Sequence, residues 1–341
     1  MIKQQIDKVI KRKNLTIEEA EDVMDKIMSG ECTDAQIGGF LTALAAKGET
    51  VEEITACARV MREKATRIEV DRSKADRGVI LDTCGTGGTG TDTFNISTTS
   101  ALVIAAAGVK VAKHGNRAAS SKCGSADVLE ELGVNLEVTP DIVAESINAI
   151  NIGFLYAPLL HKAMKYAIGP RRELGVRTVF NILGPLTNPA SANAQVMGVF
   201  DADLTEPIGR VLANLGEKRA FVVHGEDNLD EITITGKTKI SELKEGQVNT
   251  YYIKPEDFGL KRADLSEIKG GDASQNAKIV HSVLNGEKGA PRDIIVLNAA
   301  YGLLAADKVE SPQAGVKLAQ ETIDSGKAKN KLQELIKQVA V

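Results

Sequence analysis

The chain reads as α/β: a small all-helical N-terminal domain, then a larger α/β domain with a mostly parallel central sheet and surrounding helices. Three observations predict this. The first ~65 residues carry repeated helix-start signatures and one apolar stripe per helix. Beyond Arg77, short β-rich runs alternate with helical stretches, the pattern of a largely parallel sheet. At 341 residues, with 43% apolar and 26% charged side chains, the chain has length for about two domains with real cores.

Within the helical part, Thr16 precedes Glu19, Thr33 precedes Gln36 and Thr50 precedes Glu53. Each pair fits a capping box, in which the Thr hydroxyl accepts a backbone N–H and the Glu or Gln reaches back to the cap. Gly30 and Gly48 close the second and third helices. Ile37, Phe40, Leu41 and Leu44 recur at helical spacing as one buried stripe. Strands are expected at 79–81, 109–112, 221–224, 232–235 and 294–297, with helices over 97–108, 125–133, 204–216 and 273–285. Residues 161–175 read as helical with a kink or boundary at Gly169-Pro170, returning to the helical domain. The expected division is 1–70 helical, joined by helices from about 160–180, and 71–341 α/β.

Composition narrows the function. Lys and Arg number 42 against 46 Asp and Glu, a net charge of −4, so nothing favours binding to nucleic acid as a polymer. Tryptophan is absent and aromatics are 4%, which leaves no stacking platform for single strands. The longest apolar stretch, Ala101 to Val109, is too short to span a membrane, and the charged start lacks a signal segment; the chain reads as cytoplasmic. Cys32, Cys57, Cys84 and Cys123 lie far apart with no Cys-x-x-Cys pair and read as reduced thiols.

The chemistry concentrates in LDTCGTGGTGTDTFNISTTSALVIAAAG, a strand, a glycine-rich loop and a small-residue helix. It presents bare N–H groups and a helix N-terminus at the carboxyl edge of a sheet, where α/β folds bind phosphates. Gly85, Gly87 and Gly90 satisfy G-x-G-x-x-G, but no acid follows between Asp92 and Asp127 to hold a ribose hydroxyl, which argues against a dinucleotide site. That window holds Lys113, His114, Arg117 and Lys122 among Asn116, Ser120, Ser121 and Ser125, a loop suited to a phosphorylated ligand. Ser125 reads as the cap of the next helix. Farther on, Asp230 and Glu231 sit side by side in a loop, able to turn both carboxylates toward one Mg²⁺.

With these motifs in hand, the sequence resembles the anthranilate phosphoribosyltransferases of the nucleoside phosphorylase-like phosphoribosyltransferase group. The likeness rests on GTGG at 85–88, NIST at 95–98, KHGNRAASSKCGSADVLEELG at 113–133, RELGVRTVFNILGPLTNP at 172–189 and Asp230-Glu231. It implies transfer of 5-phosphoribosyl from phosphoribosyl pyrophosphate (PRPP) to anthranilate in tryptophan biosynthesis. It also implies Mg²⁺, two ions per subunit, and a homodimer through the helical domain. By motif position, Gly85, Gly88, Thr89, Thr93, Asn95, Ile96, Ser97, Thr98, Lys113, Ser120, Ser121 and Ser125 would contact PRPP. Ser97, Asp230 and Glu231 would hold Mg²⁺, and Gly85, Asn116 and Arg171 would position anthranilate. The alternatives are a pyrimidine nucleoside phosphorylase-like enzyme and a non-enzymatic, nucleic-acid-binding relative.

One departure stands out: the family commonly has Asp directly after GTGG, and here Thr89 holds that position, with Asp92 near enough to substitute. Cys123, where the family more usually has Ser, reads as a small structural residue rather than a nucleophile. His114 is the one candidate proton acceptor, weighed against a hydrogen-bonded structural role.

Overall fold

The computed structural model describes residues 2–118 and 121–340. Four helices open the chain: α1 (Lys3–Ile10), α2 (Ile17–Met28), α3 (Asp34–Lys47) and α4 (Val51–Lys64). All three capping boxes form as expected, on Thr16, Thr33 and Thr50. Gly48 ends α3 at φ 89°, a conformation that favours glycine. Ile37, Phe40, Leu41 and Leu44 are buried.

A seven-stranded sheet follows, in the order β3-β2-β1-β4-β5-β6-β7. Its strands are β1 (Leu81–Gly85), β2 (Val111–Gly115), β3 (Ile152–Tyr156), β4 (Ala194–Gly198), β5 (Arg219–Gly225), β6 (Thr238–Lys244) and β7 (Gln247–Ile253). β3, β2, β1, β4 and β5 run parallel, and β6 and β7 add an antiparallel hairpin. Helices α5 (Ile96–Ala106), α6 (Ser125–Glu131), α7 (Pro140–Ile150) and α8 (Ala157–Leu160) lie among the first strands. α9 (Lys165–Leu174), α10 (Phe180–Leu183) and α11 (Thr205–Asn214) lead to the hairpin. α12 (Ala273–Leu284), α13 (Ala290–Ala305), α14 (Pro312–Asp324) and α15 (Lys327–Gln338) complete the chain. One sheet face packs against α5, α12, α13 and α15; the other shares a core with α11 and the N-terminal helices. Both faces are covered, so the central strands read as apolar runs rather than alternations.

Two expected strands are absent. Residues 294–297 lie inside α13, where every residue from Ile294 to Ala305 is buried. A helix buried all round has no polar face, so its apolar run mimics a strand. Residues 232–235 form no strand because Asn298 of α13 takes the place of a neighbour: its Oδ1 accepts the Ile232 N–H at 3.0 Å and its Nδ2 donates to the Ile232 carbonyl at 2.8 Å. No boundary falls at Gly169-Pro170 either; α9 runs through Pro170. α9 packs on α2 and α3, with the Tyr166 ring against Gly30, where a Cβ would approach it to 2.6 Å.

Candidate active site

The carboxyl ends of β1, β2 and β4 open on a cavity of about 490 Å³, a size that accommodates a small ligand. Its floor is the glycine-rich loop after β1. Gly87, Gly88 and Gly90 all have positive φ, so this loop curls in a way side-chain-bearing residues resist. One wall is the start of α5 and the other is the segment after β2.

The loop carrying Asp230 and Glu231 crosses the ends of β1 and β4. It can do so only because the paired residues Gly85 and Gly198 lack side chains: a Cβ on Gly85 would lie 2.3 Å from Asp230 Oδ2, and one on Gly198 1.5 Å from the Asp230 backbone oxygen. Asp227 braces the loop by accepting from the Thr233 and Thr235 hydroxyls and the Leu229 N–H. Asp230 Oδ2 accepts the Gly87 N–H at 2.7 Å, and Glu231 Oε1 accepts the Ser97 N–H at 3.1 Å. Burial raises both carboxyls, and with the neighbouring Asp230 charge it pushes Glu231 up to about 8. Two buried acids whose burial Lys113 offsets only in part, with the Ser97 hydroxyl beside them, make an all-oxygen donor set that fits a divalent cation such as Mg²⁺. Among the described residues no three His, Cys, Asp or Glu side chains converge into a protein-only cage. A cation here would complete its shell with ligand or water oxygens.

Lys113 is buried in β2 rather than in a loop, with Nζ donating to the Thr83 carbonyl at 2.6 Å and reaching Ser97 Oγ at 3.4 Å. His114, next in the strand, is buried too. Its Nδ1 lies 3.1 Å from the Gly184 carbonyl, which can only accept, so Nδ1 carries the proton. Nε2 is then the acceptor for the Nε2–H of His161, 3.1 Å away. Both nitrogens are engaged, and burial lowers the pair to about 3 and about 4. The arrangement is the structural alternative, not a free proton acceptor.

The basic segment is less cationic toward the cavity than its composition suggests. Arg117 pairs with Glu130 and Asp127, and Lys122 approaches Asp92 at 3.5 Å. Gly124 rather than Ser125 caps α6; Asp127 accepts the Gly124 and Ala118 N–H groups, and Ser125 is the first helical residue, its hydroxyl donating to Asn116. The Asn95 side chain fastens Cys123 and Asn276 and keeps one amide hydrogen uncommitted at the cavity wall. Burial pushes the Cys123 thiol up to about 11, which keeps it protonated and suits a packing role.

Gly85, Gly88, Thr89, Thr93, Asn95, Ile96, Ser97, Thr98, Lys113, Asn116, Ser121, Ser125, Asp230 and Glu231 all line this one cavity. Ser120 lies outside the described residues. Arg171 does not line the cavity; it is half-buried near the end of α9, 5.0 Å from the Phe180 ring centroid, and burial lowers its pKa. Among the lining residues to which the sequence reading gave no role are Arg177 and Asn181, inside the 172–189 run, and Phe200, outside every quoted motif. Phe200 had a positional signal, since it follows β4 at the sheet's carboxyl edge. Nothing in the spacing separates Arg177 from the neighbouring Arg171 and Arg172.

Comparison with known proteins agrees with this architecture. Residues 3–65 match the helical bundle domain of the glycosyl transferase family, and residues 77–329 match its a/b domain. The chain is 58% identical to an anthranilate phosphoribosyltransferase of Geotalea uraniireducens, over 99% of both chains. It is similar to the crystal structure of the Thermus thermophilus enzyme of that name, at TM-score 0.93 and 45% identity over 98% of this chain and 99% of the other. The Saccharomyces cerevisiae enzyme in complex with PRPP and Mg matches at TM-score 0.88 and 28% identity, covering 99% and 98%. With that identity spread over nearly the full length of both chains, this chain belongs to the anthranilate phosphoribosyltransferase family.

Proposed function

We propose that this protein transfers the 5-phosphoribosyl group of PRPP to the amine of anthranilate, releasing pyrophosphate, as a step of tryptophan biosynthesis. The observation that carries the reading is the single cavity in which the glycine-rich loop, buried Lys113 and the Asp230–Glu231 pair face one another. In this reading Gly85, Gly88, Thr89, Thr93, Asn95, Ile96, Ser97, Thr98, Lys113, Ser120, Ser121 and Ser125 contact PRPP. Ser97, Asp230 and Glu231 hold Mg²⁺, two ions per subunit.

The bond from ribose C1 to the pyrophosphate oxygen breaks and a bond from C1 to the amine nitrogen forms, so negative charge grows on the leaving group. Bound Mg²⁺ would supply Lewis-acid charge to that group. Lys113 adds fixed positive charge from below, and loop amides orient the phosphates. The aromatic amine attacks as a neutral nucleophile and its N–H proton passes afterwards to water or to the released pyrophosphate, so no protein base is required and positioning is the main demand. Asn116 and Arg171, with Gly85 between the two halves of the site, position anthranilate, Arg171 through the substrate carboxylate. Arg171 is a guanidinium drawn partly out of water, with no carboxylate at ion-pair distance among the described residues, which supports an acidic partner. Because it stands outside the cavity walls, this role requires the helical layer to approach the sheet.

The same reading divides the chain into a helical unit, 1–70 joined by 160–180, and an α/β unit, 71–341, and makes the protein a cytoplasmic homodimer. Leu159, Tyr166, Ile168 and Val176 are exposed along α8, α9 and the turn after it, which supports a partner surface there. No helix among the described residues is long and apolar enough to cross a membrane.

The test is the loss of anthranilate fluorescence when PRPP and Mg²⁺ are added, with metal-free and Arg171→Ala controls. Metal-dependent loss that the substitution abolishes supports the reading. No loss at any Mg²⁺ concentration, from a folded sample that still binds PRPP, means another acceptor.

A further inference from the structure

Arg177 stands in the connection between α9 and α10, at the edge of the cavity, and none of the roles above uses it. Its guanidinium donates to the Gly88 carbonyl at 2.7 Å and lies 4.3 Å from the Phe200 ring centroid. The stack fixes the plane of the group, while one hydrogen bond leaves most of its five N–H donors available. The neighbouring cations are committed elsewhere, Arg117 to Glu130 and Asp127 and Lys122 to Asp92.

The backbone that Arg177 grips is the loop with positive φ at Gly87, Gly88 and Gly90. Among the described residues, no protein acceptor takes the N–H groups of Gly88, Thr89 or Gly90. Successive unclaimed amides in such a curl form an anion-binding concavity. A planar guanidinium anchored on a carbonyl of that same curl matches phosphate oxygens in geometry as well as charge.

We infer that Arg177 binds the pyrophosphate half of the donor, reaching across from the acceptor-side connection to the glycine-rich loop. This rests on PRPP being the ligand of the cavity. Negative charge grows on pyrophosphate as its bond to C1 breaks, so the contact strengthens toward the transition state and serves kcat as well as binding.

The test compares wild type with Arg177→Ala, Arg177→Lys and Phe200→Leu. Calorimetry reads the Kd for PRPP with Mg²⁺ and no acceptor, and steady-state kinetics read kcat and both KM values. Arg177→Ala is expected to weaken PRPP about tenfold or more and to lower kcat, while the KM for anthranilate stays within about twofold. Arg177→Lys falls between, because charge survives without the planar fork, and Phe200→Leu gives a smaller loss of the same pattern. Arg177 is exposed, so its thermal midpoint stays that of wild type. Unchanged PRPP affinity and kcat in Arg177→Ala would overturn the inference and leave the transferase reading intact. A rise confined to the KM for anthranilate overturns it too, by placing the guanidinium on the acceptor carboxylate. Wild-type protein that binds no PRPP would overturn the reading beneath it.

Discussion

The backbone oxygen of Asp230 occupies the space a side chain on Gly198 would need, 1.5 Å from where its Cβ would stand. The end of β4 is thus the seat of the acid loop, and the seat admits only hydrogen. Gly198→Ala is expected to displace that loop, costing more than about 3 kcal/mol of stability and removing metal-dependent activity. A thermal midpoint and an activity equal to wild type would refute this seating.

Asp230 and Glu231 form the donor set that fits a divalent ion. Asp230→Asn and Glu231→Gln should each weaken Mg²⁺ dependence at least about tenfold, and a chelator should abolish turnover of the wild type reversibly. Activity that survives chelation, or variants with wild-type metal curves, would remove the pair from metal binding.

Arg171 is predicted to act on the acceptor alone. In Arg171→Ala the KM for anthranilate should rise about 10- to 100-fold, with calorimetric binding of PRPP unchanged. Equal loss for both substrates would point instead to a disturbed α9.

His114 and His161 are held neutral chiefly by burial, at about 3 and about 4 against an ordinary 6.5. As pH falls below about 6.5 the unfolded chain takes up these protons and the folded chain does not, so stability declines from there toward pH 3 to 4. Asp82 has the opposite sign: burial lifts it to about 6, so it costs stability as pH rises from about 4 to 6. His161→Gln removes part of the first effect only. Between about pH 7.5 and 5.5 the wild type should therefore lose more thermal stability than this variant. Identical losses would show that the pair is not the titrating element.

Thr89, at the position where the family resemblance implies Asp, bonds its hydroxyl to that of Thr91 at 2.8 Å, and Asp92 lies on the cavity wall facing Lys122. If Asp92 supplies the missing carboxylate, Asp92→Ala should shift the Mg²⁺ profile of activity and Thr89→Asp should shift it oppositely. Superimposable profiles for wild type and both variants would sink the substitution.

Local signals were legible wherever neighbours in sequence do the work. The capping boxes on Thr16, Thr33 and Thr50 need only residues three apart, and all formed. The glycine-rich loop and the acid pair could likewise be picked out, because phosphate and metal chemistry restrict residue types. Reading failed where a partner came from far away. Asn298 turns 232–235 from strand to loop from 66 residues beyond Ile232, and the burial of α13 on all sides erased its helical period.

By itself the sequence determined the fold class, the glycine-rich loop and the acidic pair, since propensity, capping and the restriction of residue types at such loops are local properties. Tertiary structure alone decided which charges remain available. It spent Arg117 and Lys122 on carboxylates, held His114 neutral by burying it beside His161, and brought Arg177, 89 residues from Gly88, onto that glycine's carbonyl. Charge is a property of composition, but whether it is free depends on what the fold places within about 4 Å of it.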